Sequence, residues 1–287
     1  MRRDIGFLAL AALLTVGPAS AQTLDAGRGA LPLTIPAGYD ADTPAPLIVL
    51  LHGYTFSGER QDEYMKISDL ADAYGFLFVA PDGIQEAGGQ QNRFWNASQA
   101  CCNFGGSEVD DSAYIRGLID AIKDEYAVDD GRVFLIGHSN GGFMSYRMAH
   151  DHPDTIAAIA SLAGADQTRE RTAPTSPVHV LQIHGTADET IAYAGAEIQG
   201  TAYPGARESV GRWAAHNGCD TAGADTGTLD LEGTLDGAES TVTRYTGGCR
   251  AGGSTELWSI AGGGHVPELS DQFGRLVVEW LLGHPKP

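Results

Sequence analysis

Ser139, Asp188 and His265 are the side chains whose surroundings suit nucleophilic catalysis. Ser139 is the centre of Gly137-His-Ser-Asn-Gly141, where the apolar run Val133 to Ile136 stops and a helix-like segment, Phe143 to His150, begins. A serine used as a nucleophile needs a sharp turn between strand and helix, and Gly137 and Gly141 keep side chains out of that close approach. Asp188 closes His184-Gly-Thr-Ala-Asp188 after the apolar stretch Val178 to Ile183, and His265 closes Ala261-Gly-Gly-Gly-His265 after Leu257 to Ile260. The chain order Ser, Asp, His is one of those in which a carboxylate fixes an imidazole tautomer and the imidazole takes the serine proton. The expected chemistry is acyl transfer to Ser139, with His265 as base and then acid and Asp188 orienting it. Asp166 is the weaker candidate for the acid. His52, His138 and His184 sit beside glycines of their own motifs and read as packing or turn residues.

A tetrahedral intermediate also needs donors aimed at its oxygen. His52-Gly53-Tyr54-Thr55 follows the apolar run Leu47 to Leu51, and a glycine there lets backbone approach a bound carbonyl. The Tyr54 N–H is the expected first donor and the Asn140 N–H, after the nucleophile, the second. The Tyr54 ring is placed to shelve an acyl group. Asp188 lies at a strand end, so Ile191-Ala-Tyr-Ala-Gly195 is expected along the rim, with Tyr193 in reach of substrate.

Positioning these residues requires a sheet. Strands are expected at Leu47 to Leu51, Phe76 to Ala80, Val133 to Ile136, Val178 to Ile183 and Leu257 to Ile260. Helical patterns cover Gly58 to Tyr74, Asp111 to Tyr126, Gly141 to His150, Ser209 to Asn217 and Gln272 to Leu282. Alternation of this kind implies an α/β fold, a mostly parallel sheet with helices on both faces and ligands at the carboxyl ends of the strands.

Met1 to Ala21 has Arg2 and Arg3, an apolar run from Ile5 to Val16 and a small-residue cleavage site at Pro18-Ala-Ser-Ala21. That is the pattern of a secretory signal peptide. It predicts export to the periplasm or the medium after cleavage near Ala21, leaving residues 22–287 as one catalytic domain. The formal charge is −19, becoming −20 without Arg2, Arg3 and Asp4, and lysine occurs only at 66, 123 and 286. A surface so acidic repels nucleic acid and anionic membranes, whose binding rests on Lys and Arg clusters. Polyanionic polymers are disfavoured as substrates for the same reason, and a monomer is expected.

Four cysteines in an exported chain point to oxidation. Cys219 and Cys249 bracket Thr226 to Glu232 and Ser240 to Tyr245, which read as a β-hairpin needing a staple. A bridge closing about 31 residues would stabilise by roughly 3 to 4 kcal/mol, and it is expected to brace the segment carrying His265. Cys101 and Cys102 are adjacent, with Cα atoms ~3.8 Å apart across a trans peptide and so below the usual disulfide range. A vicinal bridge and two free thiols both remain open. Zinc is not expected, because paired CxxC spacing is absent and no histidine cluster accompanies the cysteines. The chemistry requires no cofactor.

The motifs together carry a family resemblance. LLHGYTFSG, FVAPDG, FWNASQACC, VDDSAYIRGLID, RVFLIGHSNGGFMSYRMA, IHGTADETIAY, the NGC and GGC cysteines and GGGH occur in that order through most of residues 22–287. The chain resembles the secreted polyhydroxybutyrate depolymerase and feruloyl esterase group of α/β hydrolases, related to carbohydrate esterase family 1. The resemblance implies the α/β-hydrolase fold and hydrolysis of carboxylic esters. Polyesters or oligoesters, of the polyhydroxybutyrate type or synthetic aromatic ones, are the first substrate class, feruloyl or acetylxylan esters the alternative, and a serine peptidase on the same fold the third reading. It implies that the family's nucleophile, acid and base fall on Ser139, Asp188 and His265. It also gives Trp95 two readings, a wall of the binding cleft or an ordinary core tryptophan. Helix capping is the reading for at least one of Asp110 and Asp111, neither being taken as catalytic, and Asn96-Ala-Ser98 fits a glycosylation acceptor. Members often continue GGGH with Trp-Pro, whereas Val266 precedes Pro267 here, which removes a ring that could wall the site.

Overall fold

Ala45-Pro-Leu-Ile-Val-Leu-Leu51 has no polar side chain to offer water, and it becomes a strand buried along its whole length. In a computed structural model, residues 20–88, 90–167 and 174–287 are described. The signal-peptide stretch lies outside them, except that Ser20 and Ala21 open the first strand.

The strands in chain order are β1 (Ser20–Asp25), β2 (Ala30–Ile35), β3 (Ala45–Leu51), β4 (Leu77–Val79), β5 (Ile84–Gln85), β6 (Arg93–Phe94), β7 (Val128–His138), β8 (Ala158–Leu162), β9 (His179–Gly185), β10 (Gly195–Ile198), β11 (Thr201–Pro204), β12 (Ala224–Leu229), β13 (Ser240–Tyr245) and β14 (Thr255–Ile260). Ten of them form one sheet in the order β1-β2-β4-β3-β7-β8-β9-β14-β13-β12. From β4 to β14 the neighbours run parallel, and an antiparallel pair closes each edge. The pairs β5–β6 and β10–β11 are separate small ribbons. The helices are α1 (Gly58–Met65), α2 (Ala71–Tyr74), α3 (Asp111–Glu125), α4 (Asn140–Asp151), α5 (Ala206–His216) and α6 (Phe273–Leu282).

Central strands alternate their side chains between two cores. Leu47, Val49 and Leu51 of β3, with Val133 and Leu135 of β7, face α3 and α4. Ile48, Leu50, Phe134 and Ile136 face Met65 of α1 and Phe273, Val277 and Val278 of α6. This is the period of two expected of strands, hidden in the sequence because both faces are dry.

The expected strands are all present with shifted ends; β1, β2 and the two small ribbons lie outside the expected set, and so does the central β8. Its sequence, Ala-Ile-Ala-Ser-Leu, is rich in a weak strand former, and pairing on both sides with β7 and β9 makes it a strand. The helix expected over Gly58 to Tyr74 is broken. It stops at Met65 with Lys66 left-handed (φ 53°), and after a short 3₁₀ turn, Ser68–Leu70, α2 follows. The cause is Asp62, whose carboxylate accepts the Ile67 and Ser68 N–H groups and the Ser68 hydroxyl, offering the backbone an alternative to helix. The Asp110 carboxylate caps α3 by accepting the Ala113 N–H.

The hairpin between the cysteines is β12 and β13, and it extends the main sheet along β14. Cys219 and Cys249 are bridged, and so are Cys101 and Cys102, which share a cis peptide bond. Among the described residues no helix is long and apolar enough to cross a membrane.

Candidate active site

β7 ends at His138, and the chain turns into α4 through Ser139, held at φ 53° and ψ −118°. A non-glycine residue at positive φ is strained, and the strain is retained by what surrounds it. The Ser139 N–H donates to the Leu162 carbonyl of β8, and the Ser139 carbonyl accepts the Phe143 N–H. A Cβ on Gly137 would collide with the Gly141 carbonyl, and one on Gly141 with the Leu51 carbonyl. The two glycines thus let α4 start directly against β3 and β7.

Asp188 follows β9 and His265 follows β14, both at the carboxyl edge with Ser139. His265 Nδ1 donates to Asp188 Oδ2 at 2.8 Å, and Ser139 Oγ lies 2.9 Å from His265 Nε2. The carboxylate only accepts, so the proton of this tautomer sits on Nδ1 and leaves Nε2 free to take the serine proton. Thr190 and Ile191 N–H groups donate to Asp188 Oδ1, and His184 Nε2 lies 3.3 Å from Oδ2. Burial works against the Asp188 carboxylate. Hydrogen bonds from His184 and His265, the His265 charge and the Ile191 N–H together outweigh it and hold the group well below the usual carboxylate range.

Two histidines first read as packing residues touch this relay. His184 accepts the Gln182 amide at Nδ1, so its Nε2–H faces Ile191 O and Asp188. His138 Nε2–H donates to the His265 carbonyl at 3.0 Å, fixing the backbone that carries His265. Burial, with the nearby His265, lowers the His138 pKa to about 4 and keeps its ring neutral. Neither role had a signal in the sequence beyond position next to a glycine.

The Gly53 backbone reaches the elbow: a Cβ there would stand 3.5 Å from Ser139 Cβ. Among the described residues, neither the Tyr54 N–H nor the Asn140 N–H donates to a protein acceptor. The Tyr54 hydroxyl donates to Glu86 at 2.7 Å and accepts from Asn92, and the ring meets Phe104 edge-on with centroids 5.4 Å apart. Phe104 (39% exposed) and Val266 (55%) are the exposed large apolar side chains among the described residues. One lies against Tyr54 and the other follows His265. Phe104 escaped the sequence reading because nothing links it to Tyr54 along the chain.

Other expectations are corrected. Trp95 is wholly buried and cannot wall a cleft. Its indole N–H donates to the His52 carbonyl, and its backbone pairs with the Asn140 side chain, because the loop before α3 threads under the elbow. Tyr193 is half-buried and leans on the sheet. Its hydroxyl pairs with Ser259 of β14 at 2.7 Å, and its ring lies edge-on to His184 and beside the core under α5, since the chain after Asp188 folds back over the sheet. Asp166 pairs with His150 and makes no bond to His265. The Asn96 amide donates to the Val109 carbonyl, so the sequon nitrogen is already engaged. The disulfide Cys219–Cys249 precedes β14, whereas His265 follows it, so the bridge does not brace the segment carrying His265 directly.

Among the described residues no group of three or more His, Cys, Asp or Glu side chains could hold a metal ion. The family described as esterase PHB depolymerase matches over residues 30–256, ending before His265. Feruloyl esterase B of Piromyces equi is 29% identical over 80% of this chain and 41% of its own. Poly(3-hydroxyalkanoate) depolymerase C of Paucimonas lemoignei is 32% identical over 45% of this chain and 30% of its own. The chain thus spans less than half the length of these two curated relatives. The acetyl xylan esterase from Aspergillus awamori shares the fold, with a TM-score of 0.61 at 19% identity over 91% of this chain and 98% of the other.

Proposed function

The chain belongs to the esterase PHB depolymerase family, and on that premise we propose that it is an exported serine hydrolase of carboxylic esters, acting on polyesters or oligoesters through an acyl-enzyme on Ser139. The observation that carries this reading is the continuous relay from Ser139 Oγ to His265 Nε2 (2.9 Å) and from His265 Nδ1 to Asp188 (2.8 Å) on a strained elbow. Ser139 Oγ gives its proton to His265 Nε2 and bonds to the ester carbonyl carbon. The carbonyl electrons move onto oxygen, which the Tyr54 and Asn140 N–H groups hold. The oxyanion then collapses, the alkoxide leaves with the proton from His265, and water repeats the sequence to release the acid. Each donor of such a pair is typically worth ~3 to 4 kcal/mol of barrier. The bridged cysteines and the amino-terminal apolar run support export.

Phe104, Tyr54 and Val266 give the proposed mouth an apolar rim, which suits an uncharged acyl chain better than an ionised one. A second reading, hydroxycinnamoyl esters of plant polysaccharide, is favoured by the edge-on Tyr54–Phe104 pair, since a planar acyl ring can join such a pair. The experiment is labelling with a fluorophosphonate, followed by parallel assay on 3-hydroxybutyrate oligomers, feruloyl esters and acetylated xylan. Ser139 is expected to be labelled and oligoester turnover abolished with it. Folded protein that is not labelled at Ser139 overturns the reading, and a dominant feruloyl rate moves it to the second.

A further inference from the structure

We propose that His52, Trp95 and Asn140 form one buried positioning network that aims both oxyanion donors, a role that rests on the Tyr54 and Asn140 assignment above. His52 lies within 2.8 Å of two backbone partners that dictate its tautomer. The Gly53 carbonyl can only accept, so Nδ1 carries the proton; the Gly83 N–H donates, so Nε2 carries the lone pair. Burial lowers the His52 pKa to about 4, which keeps the ring in this neutral form.

The bond to Gly53 matters because a trans peptide is planar, with its C=O and its N–H pointing to opposite sides. Holding the Gly53 carbonyl therefore aims the Tyr54 N–H, which belongs to the same peptide. The Phe56 N–H also reaches that carbonyl at 3.1 Å, and the Gly53 N–H donates to Gln61 at 2.9 Å, so the turn is pinned on each side of the plane.

The second donor is referenced to the same body. The Asn140 side chain, fully buried, accepts the Trp95 N–H at 2.7 Å and donates to the Trp95 carbonyl at 3.0 Å, a two-point clamp between elbow and loop. Trp95 then reaches back: its indole N–H donates to the His52 carbonyl at 3.1 Å, and its ring packs on the His52 imidazole with centroids 4.9 Å apart. The segment after β3 and the start of α4 are thus tied through one tryptophan. Donors held in advance need no reorganisation when charge develops on the substrate oxygen.

His52→Gln and His52→Asn test this. The glutamine amide reaches the Nε2 position and can accept from Gly83, but it offers nothing to the Gly53 carbonyl. The asparagine amide places a donor near the Nδ1 position and restores the bond to Gly53, at the loss of Gly83. The measurements are kcat and KM on p-nitrophenyl butyrate, the inhibition constant of phenylboronic acid and the melting temperature. The boronate adduct of a serine puts an oxygen where the oxyanion forms. His52→Gln is expected to lower kcat/KM at least tenfold and weaken the boronate by the same factor, and His52→Asn to recover most of both although each melts lower. Equal loss in both variants, or a lower melting temperature with unchanged kcat and boronate affinity in His52→Gln, overturns the proposal. Should either variant fail to fold, Asn140→Asp decides. It keeps the acceptor for Trp95 N–H and loses the donor, and wild-type kcat/KM and boronate affinity in it overturn the clamp. Wild-type protein labelled at Ser139 sustains the ester-hydrolase reading whatever these variants do; absence of labelling there sinks that reading instead.

Discussion

The two ends of β14 are secured by different means. Before Thr255 lies Cys249, bonded covalently to Cys219 just after α5. After Ile260 the loop bearing His265 is held by hydrogen bonds: Ala187 N–H to Gly263 O, Gly262 N–H to the Thr186 hydroxyl, His138 to His265 O and the Tyr64 hydroxyl to Pro267 O. The turn after β12 joins in, because buried Glu232 accepts the Glu268 N–H and Gly233 N–H donates to Glu268 O. A six-residue strand is about 20 Å long, so a covalent tie at one end adds stability without setting geometry at the other. The hairpin does support the loop bearing His265, but through Glu232 and not through sulfur.

Most of the catalytic consequence should fall at the carboxyl end. Asp188→Asn is expected to cut kcat roughly 10³- to 10⁴-fold with little change in fold, since the amide can stabilise the wrong imidazole tautomer; single-turnover kinetics on p-nitrophenyl esters beside circular dichroism check this. The amino end should show the reverse. Replacing Cys219 and Cys249 together by serine is expected to remove about 3 to 4 kcal/mol of stability while kcat at 25 °C stays within twofold. A fall in kcat as large as that of Asp188→Asn would reverse the contrast.

Acidity should act on the buried rings near the carboxyl edge. His52 and His138 have folded pKa values of about 4 against 6.5. Between those values the unfolded chain binds more protons, so stability is full above pH 6.5 and falls as pH drops toward 4, by about 3 kcal/mol for each ring. Melting curves from pH 7 to 4 should show the decline, and His138→Gln should reduce its steepness. Glu232→Gln is expected to lower kcat about tenfold with a smaller stability loss than the cysteine pair, because one charge-assisted bond to the Glu268 N–H is weakened. Phe104→Ala is expected to alter relative rates among acyl groups only several-fold with an unchanged melting temperature, read from a panel of p-nitrophenyl esters.

Local pattern carried much of this protein. A strand, a glycine-flanked serine and a helix stand together in the chain, so the elbow at Ser139 is legible from neighbours alone. Asp188 and His265 are legible for the same reason, each closing a short polar or glycine-rich stretch, five residues long, that follows an apolar run. The parallel α/β order follows from alternation, and the Cys219–Cys249 pair from the segment that needs closing.

What local pattern cannot carry is which side of a strand end a ring turns to, because that depends on elements far away in the chain. Trp95 and Tyr193 are aromatic residues near motif residues, and both turn inward, onto His52 and Asn140 in one case and onto Ser259 and His184 in the other. Phe104 stays partly outside, against Tyr54 from a turn 50 residues earlier. The types of the proposed catalytic side chains, Ser139, Asp188 and His265, are written in sequence, since the chemistry demands them. The hydrogen bonds that hold Asp188 and the segment of His265 come from His138, His184 and Glu232, whose partners meet only when the sheet has brought several strand ends to one edge.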